Sequence, residues 1–186
     1  MAASERLSIH LARPEELKDC WRMIIETNIE NWDMHSCAGP LPKDLNAHKI
    51  QLLQKLQHMF DPRYNFLLVA AYGDKVAGVI WYALHDDPVY GLKHGQIYVV
   101  YIKEEFRRRG ISRKLIGEVR KRVYKKGIKF LRLSALHTNT PARNLYRQLG
   151  FFDETHNMIC RLELTGPEKR KEEARNKKIE NESQDK

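Results

Sequence analysis

The chain has 186 residues, a formal net charge of +9 and 42% hydrophobic residues, enough for one domain with a single core. No apolar run reaches the ~18 residues of a membrane-spanning segment, and the charged N-terminus lacks the apolar core of a signal peptide. The three cysteines, Cys20, Cys37 and Cys160, form no CxxC pair. The sequence therefore indicates neither a disulfide framework nor a metal site, and it favours a reducing, cytoplasmic setting.

Alternation and helical spacing define the first part of the chain. Arg6–Leu11 alternates as a strand does, and Pro14 opens a predicted helix that runs to Trp32. Asp33–Pro42 contains Gly and Pro and predicts a loop, after which Asp44 can cap a second helix. The apolar face of the first helix comprises Leu17, Cys20, Trp21, Ile24, Ile25 and Asn28. That of the second helix comprises Leu45, Leu52, Leu53, Leu56, Met59 and Phe60.

The rest of the chain predicts strands around two further helices. Asn65–Tyr72 and Val76–His85 form a predicted hairpin. The later predicted strands are Gly95–Ile102, Lys129–Leu136 and Asn157–Leu164. One helix ends at Gly127 and places inward Ile111, Leu115, Ile116, Val119 and Val123. Thr140-Pro141 is predicted to cap and start a shorter helix that ends at Gly150. This order predicts an α/β domain with a mixed sheet over residues 1–164, followed by a charged tail at 165–186 that is disordered or a frayed helix.

A basic turn with one glycine, Arg107–Ser112, lies between a predicted strand and a predicted helix. Such a turn exposes successive backbone N–H groups, and the helix start adds unpaired donors and the positive end of the helix dipole. Gly110 permits a positive φ and a close approach of the backbone to a ligand. The spacing is that of neither a Walker loop nor a dinucleotide fingerprint, but the chemistry predicts a phosphate site.

A second motif follows at residues 139–151. It reads Asn139-x-x-Ala142-x-x-Leu145-Tyr146-x-x-x-Gly150-Phe151. Together with Arg107-x-x-Gly110-x-Ser112 it resembles the two signatures of the GCN5-related N-acetyltransferase (GNAT) superfamily, in which Gly or Ala usually stands at the position of Ser112. The resemblance spans roughly residues 7–164. It implies a three-layer fold with a mixed, mostly antiparallel sheet flanked by helices, and direct transfer of the acetyl group of acetyl-CoA to an amine.

The resemblance also implies a cofactor site. The backbone of Val100, Tyr101 and Ile102 would contact the pantetheine arm and the acetyl carbonyl. The implied pyrophosphate ligands are the N–H groups of Arg107, Arg108, Arg109, Gly110, Ile111 and Ser112, with charge added by Arg108, Arg109 and Arg113. Tyr146 matches the tyrosine that protonates the departing sulfur, a task suited to a phenol of pKa ~10. Without the surrounding motif, an aromatic on the buried face of the helix would be the favoured interpretation. Asn139 is either a pantetheine or substrate contact or a turn residue.

The proton acceptor is less clearly indicated. Gln96 stands where the histone-acetylating branch has a strand glutamate; an amide is not a base, so we expect Gln96 to order a water that relays the proton. Tyr98 shares its strand face. His94 and His137 titrate in a useful range, although both also suit ordinary surface positions. The pair Asp86–Asp87 ends a strand and either attracts a cationic amine or starts a turn.

Positive charge concentrates between residues 103 and 132, which hold thirteen Lys or Arg against three Glu. The field suits the phosphates of coenzyme A, although it also suits a solvated helix face. We expect an acetyl-CoA-dependent N-acetyltransferase acting on a protein, peptide or small-metabolite amine, with no metal and no membrane partner. The alternatives are a non-catalytic acetyl-CoA-binding module and, with less support, a nucleic-acid-binding protein that uses residues 103–132. A homodimer is left open.

Overall fold

The computed structural model describes residues 6–32, 40–87, 89 and 91–155. The chain divides after Phe152 into two units, and the fold below is that of the first. The predicted strand Asn157–Leu164, the charged tail, Cys37 and Cys160 lie outside the described residues, as does most of the predicted loop Asp33–Pro42. The domain boundary at residue 164 therefore stays a prediction.

Within the described residues, one sheet of five strands runs in the order β1-β2-β3-β4-β5. The strands are β1 Leu7–Leu11, β2 Asn65–Tyr72, β3 Lys75–Asp86, β4 Lys93–Ile102 and β5 Phe130–Leu133. Neighbours are antiparallel from β1 to β4, and β5 is parallel to β4. The predicted mixed, mostly antiparallel sheet is thus confirmed.

The central hairpin is buried on both faces because its strands are apolar almost throughout. Leu67–Ala71 of β2 and Val76–Ala83 of β3 are all buried, and a Cβ added to Gly78 would lie 2.7 Å from the Tyr101 carbonyl oxygen. Tyr72 pairs with Lys75, so the turn holds two residues, and Gly73 there adopts φ +55. A short turn of this conformation joins twisted antiparallel strands and favours glycine.

In the described part of the chain, four α-helices flank the sheet: α1 Leu17–Glu30, α2 Leu45–Met59, α3 Ile111–Lys125 and α4 Thr140–Gln148. A 3-10 turn at Pro14–Glu16 precedes α1. One face of the sheet forms a buried cluster with α1, and the other face forms a cluster with α3, against which α4 packs. The implied three-layer arrangement is confirmed.

The buried face of α3 agrees fully with the helical periodicity. Its buried residues are Ile111, Leu115, Ile116, Val119 and Val123, the five predicted to point inward. In α1, by contrast, Met23 is buried although the prediction omitted it, and Leu17 is 39% exposed.

The second helix departs from its predicted apolar face. No residue of α2, all of which the structure describes, is buried, and Met59 is 64% exposed. Leu56, with Phe60 just beyond the helix, packs at the rim of the α1 cluster. A helix of leucines therefore need not be a core helix, because exposure depends on what the neighbouring elements cover.

A bulge at Tyr98 interrupts β4. Trp81 of β3 pairs with Val99, and Tyr82 pairs with Ile97, so Tyr98 has no opposite residue in β3. The alternation of faces restarts there: Ile97 lies in the α3-side cluster, whereas the Tyr98 ring lies 5.1 Å from the ring of Trp81, in the α1-side cluster. Bulges re-aim side chains in this way and are frequent beside active sites.

Candidate active site

The pairing of β4 with β5 ends halfway along β4. Their parallel pairing extends from His94 with Phe130 to Ile97 with Leu133, where β5 ends. Among the described residues, the β5-side edge of β4 therefore has no paired strand from Tyr98 to Ile102. An unpaired edge presents backbone N–H and C=O groups that can bond an extended ligand. This edge leads directly to the basic turn.

The basic turn has left-handed backbone at two positions, Arg108 with φ +61 and Gly110 with φ +73. The first bond of the α3 ladder joins the Lys114 N–H to the Gly110 carbonyl at 3.2 Å, so the N–H groups of residues 111–113 have no partner within the helix. A Cβ built on Gly110 meets no atom within 4 Å, which leaves the space beside the turn open. Left-handed residues at a helix start form a concavity suited to anions.

Arg107 is bonded to α1 and β4. Its guanidinium donates to Glu30 Oε2 at 2.8 Å and to the Ile102 carbonyl at 3.0 Å, and its backbone N–H donates to the Glu104 carbonyl at 3.1 Å. The Tyr101 phenol donates to Glu30 Oε1 at 2.9 Å. Burial, together with this bond to a carboxylate, raises the pKa of Tyr101. Arg107 thus links the end of α1 to β4. Its backbone N–H, one of the implied phosphate ligands, already donates to a carbonyl of the protein.

The remaining arginines of the turn lie at its surface. Arg108 is exposed. Arg109 donates to the Glu105 carbonyl at 2.9 Å, and Arg113 donates to Gln148 Oε1 at 2.8 Å, which links α3 to α4. Both acceptors are neutral and both bonds are exposed. Because charge-assisted bonds to an anion are stronger, a phosphate can replace them.

Tyr146 and Asn139 lie on or next to α4. The Tyr146 ring packs against the α3-side cluster and lies 6.0 Å from the ring of Phe151. Burial raises the pKa of its phenol, which therefore keeps its proton at neutral pH and can donate it. Asn139 Oδ1 accepts from the Ala142 N–H at 3.2 Å, so Asn139, rather than Thr140-Pro141, caps the helix. The capping role accounts for Asn139 without a ligand.

Gln96 and the predicted candidate histidines have the following contacts. Gln96 is half-buried, and its amide donates to the Ile97 carbonyl at 3.1 Å. His94 stacks on His85 with ring centroids 5.5 Å apart. His137 is exposed, and its Nδ1 lies 3.2 Å from a guanidinium nitrogen of Arg143.

The predicted acidic pair starts a turn. The Asp87 carboxylate accepts from the Val89 N–H at 3.0 Å and lies 3.8 Å from Arg132, while Asp86 lies 3.7 Å from Lys93. Each carboxylate thus already has a cationic neighbour, which favours the structural alternative for this pair.

His85 is a candidate that the sequence did not reveal. Its Nε2 lies 2.8 Å from the hydroxyl oxygen of Tyr98. The two residues are thirteen positions apart, and only the hairpin register together with the bulge brings them into contact. The sequence offered one clue to this contact: a histidine at the end of one predicted strand, beside a predicted strand that carries a tyrosine.

No described helix is long and apolar enough to cross a membrane. No group of three His, Cys, Asp or Glu that could hold a metal ion occurs in the described part of the chain. The Cys20 thiol is buried, and burial raises its pKa to about 12. It is the core residue that the sequence predicted.

Comparison with known proteins supplies the family. The model of the acetyltransferase (GNAT) family matches residues 26–151, a stretch that includes β2 to β5, the basic turn and Tyr146. The chain belongs to this family. This is the family that the two motifs predicted, and the GNAT fold agrees with the observed layers.

Individual GNAT relatives are more distant. A mycothiol acetyltransferase of Pseudarthrobacter chlorophenolicus is 29% identical over 160 residues, which cover 81% of this chain and 44% of the relative. The chain thus spans less than half of that relative's length. A Pyrococcus furiosus protein assigned as an acetyl transferase superposes with a TM-score of 0.69 at 17% identity, covering 84% of this chain and all of its own. Ribosomal-protein-alanine N-acetyltransferase of Brucella melitensis gives a TM-score of 0.59 at 19% identity, with coverages of 85% and 100%. At such identities, the solved structures show the fold alone.

Proposed function

We propose that the chain is an acetyl-CoA-dependent N-acetyltransferase that moves an acetyl group to a primary amine of a protein, a peptide or a small metabolite. One observation carries the proposal: the open edge of β4 leads into a left-handed basic turn at the start of α3. An extended edge followed by an anion-binding concavity suits a ligand with a peptide-like arm and a pyrophosphate. Family membership supplies the reaction class.

The described residues fit acetyl-CoA. The N–H groups around Gly110 and of residues 111–113 would hold the pyrophosphate in the open space beside the turn. Arg108, Arg109 and Arg113 would add charge. The backbone of Val100–Ile102 would align the pantetheine arm along β4, and Asn139, at the start of α4, would contact it. When bound, acetyl-CoA supplies an activated acetyl thioester.

The protein then has two tasks during the reaction. It must accept a proton from the ammonium form of the substrate, and it must supply one to the departing sulfur. Tyr146 is the proposed donor, because it matches the family tyrosine and burial raises the pKa of its phenol, which therefore keeps its proton at neutral pH. Gln96 is proposed to order a water near the amine. The β4 backbone would polarise the carbonyl and hold the reactants in register.

A second candidate is an acetyl-CoA-binding module without turnover. The observation that favours it is Gln96, an amide at the position of the family glutamate, whose donor is already bonded to the Ile97 carbonyl. The nucleic-acid alternative has less support, because several basic side chains of residues 103–132 bond within the protein. These are Arg107, Arg109, Arg113, Arg120, Arg122 and Arg132.

Two measurements on the same protein separate these candidates. The first is the change in melting temperature with CoA, and the second is thiol release from acetyl-CoA against a panel of amines. The panel should include a peptide with an N-terminal alanine, since one fold relative carries that name, together with lysine peptides and small amines. Stabilisation with amine-dependent thiol release supports the enzyme, and stabilisation without release supports the module. Salt-sensitive nucleic-acid binding that CoA does not displace, with no CoA stabilisation, would refute both.

A further inference from the structure

We infer that the hydrogen-bonded pair His85–Tyr98, at the bulge of β4, is the proton acceptor for the amine substrate. The inference deepens the proposed function and rests on it. It assigns to two residues of this chain the role for which the family glutamate is replaced by Gln96.

The contact itself has the geometry of a proton relay. The Tyr98 oxygen lies 2.8 Å from His85 Nε2, the separation of a strong O–H···N hydrogen bond. In the tautomer with the proton on Nδ1, the Tyr98 hydroxyl donates to Nε2. Tyr98 is 44% exposed and His85 is half-buried, so the pair is open to a substrate and to solvent. The Tyr98 ring is fixed by Trp81, whose ring centroid lies 5.1 Å away.

The position of the pair in the fold points to the reacting atoms. Tyr98 is the bulged residue at which the pairing of β4 with β5 has just ended. One residue, Val99, separates it from the backbone of Val100–Ile102, the stretch proposed to align the acetyl-bearing arm. At about 3.3 Å per residue, the backbone of Tyr98 lies roughly 7 Å from that of Val100. A substrate amine at the Tyr98 phenol would therefore approach β4 at its bulge, on the same strand as the stretch proposed to align the acetyl-bearing arm.

Neither residue suits the role as well alone. Burial raises the pKa of Tyr98, so its phenol is not ionised at neutral pH and cannot be the base by itself. A phenol that donates to an imidazole, however, can pass its own proton on while it receives another. Histidine is the side chain that exchanges protons most readily near neutrality.

The proton balance is complete. The ammonium loses a proton to the Tyr98 oxygen while the Tyr98 proton moves to His85 Nε2, which leaves a neutral amine, a neutral phenol and an imidazolium. The amine lone pair then forms the N–C bond as the C–S bond breaks and its electron pair goes to sulfur. The second nitrogen proton is lost to solvent, and the sulfur receives a proton from Tyr146, which solvent replenishes. His85 finally releases its proton to solvent, so one proton leaves per acetyl group transferred.

Among the described residues, the contacts near the pair involve charged or titratable groups of β3, β4 and β5. On β4, the groups are His94, stacked on His85, and Lys93, whose ammonium lies 3.7 Å from Asp86. On the β5 side, Arg132 lies 3.8 Å from Asp87. The Lys93–Asp86 and Arg132–Asp87 contacts at this end of the hairpin thus each join opposite charges.

The kinetic test compares His85→Ala and Tyr98→Phe with wild-type protein at saturating acetyl-CoA. Tyr98→Phe keeps the ring that packs on Trp81 and removes only the hydroxyl. Each variant should lose about 10²-fold to 10⁴-fold in kcat at neutral pH, with CoA stabilisation unchanged. The loss should shrink as the pH rises toward the pKa of the amine, because a neutral amine needs no base. His58→Ala, on the exposed side of α2, and Tyr124→Phe, 74% exposed on α3, are the matched controls.

A second test needs no turnover. The side-chain nitrogen signals of His85, measured by NMR in the free protein across pH, should show Nε2 accepting a hydrogen bond in the wild type and losing it in Tyr98→Phe. An unchanged His85 signal would overturn the pair. So would variants that keep the wild-type kcat and pH profile while wild-type protein transfers acetyl groups, and in that case the proposed function would stand. Absence of both CoA stabilisation and thiol release in wild-type protein would overturn the function and the relay together.

Discussion

Gly110 offers a direct test of the phosphate site, because its backbone conformation and its surroundings separate strain from ligand contact. Its φ of +73 is in the left-handed region, which costs a residue with a Cβ about 1–2 kcal/mol. Nothing lies within 4 Å of an added Cβ, so the Cβ of Gly110→Leu adds no clash to that strain in the free protein. At ~2–4 °C per kcal/mol for a chain of this size, we expect the melting temperature to fall by roughly 2–8 °C.

Gly127 provides the matched control at the other end of α3. Its φ is +77, and its added Cβ likewise meets nothing within 4 Å. Gly127→Leu should therefore carry a similar backbone strain and a similar loss of melting temperature. It lies far along the helix from the basic turn, so it should leave CoA binding intact.

The assay is the melting temperature of each protein with and without CoA. A ligand at 100 times its Kd stabilises the folded state by about 2.7 kcal/mol, which corresponds to a rise of roughly 5–11 °C. Wild type and Gly127→Leu should show this rise, and Gly110→Leu should lose most of it, because the leucine side chain fills the space that the phosphates need. An equal CoA-induced rise in the two variants would refute the assignment of residues 107–112.

Three further outcomes are expected. Tyr146→Phe should lower kcat by about 10²-fold to 10⁴-fold and leave CoA affinity unchanged, since the proton is needed only as sulfur becomes anionic; equal kcat by thiol release would return Tyr146 to a purely structural role. Gln96→Ala should reduce the rate modestly. Gln96→Glu should retain or gain activity at neutral pH, because partial burial raises the pKa of a carboxyl toward that of a useful base. A large loss of activity in Gln96→Glu would show that residue 96 does not lie where the proton is accepted. Burial by itself raises the pKa of Glu16. The hydrogen bond from the Arg13 N–H and the contacts with His10 outweigh this effect, so the pKa of Glu16 is lowered overall. The stability that Glu16 contributes is thus present above its unfolded pKa and is lost as the pH falls through the lower folded pKa. Glu16→Gln should therefore lower the free energy of unfolding by about 1 kcal/mol at pH 7 and leave it unchanged below the folded pKa of Glu16. Chemical denaturation across pH measures both.

The link between α1 and the basic turn has a consequence for how the site assembles. Glu30 accepts from both Tyr101 and Arg107, so one carboxylate joins the last turn of α1 to β4 and to the residue that begins the phosphate motif. Arg107 and Glu30 are 43% and 47% exposed in their side chains, and an exposed ion pair of this kind contributes little to stability. We expect the contact to fix the position of α1 relative to β4, beside the open edge of β4, rather than to stabilise the fold.

The sequence alone determined the features that depend on local order. Five apolar positions at helical spacing identified the buried face of α3, and Gly110 followed by a helix identified the left-handed turn. These succeeded because a helix or a turn is built from neighbours in the chain, so spacing and residue type specify it directly. The order of the motifs identified the family for the same reason.

Tertiary structure decided the contacts between elements. The pair His85–Tyr98 depends on the β3–β4 register and on one extra residue in β4, and the bond from Arg107 to Glu30 joins positions 77 residues apart. The exposure of α2 could not be predicted either, because helical spacing groups its leucines on one face but does not say which element that face contacts. Periodicity predicts which side chains share one face of a helix or strand. Strand register, bulges and the other helices on the same sheet face decide which residues that face contacts.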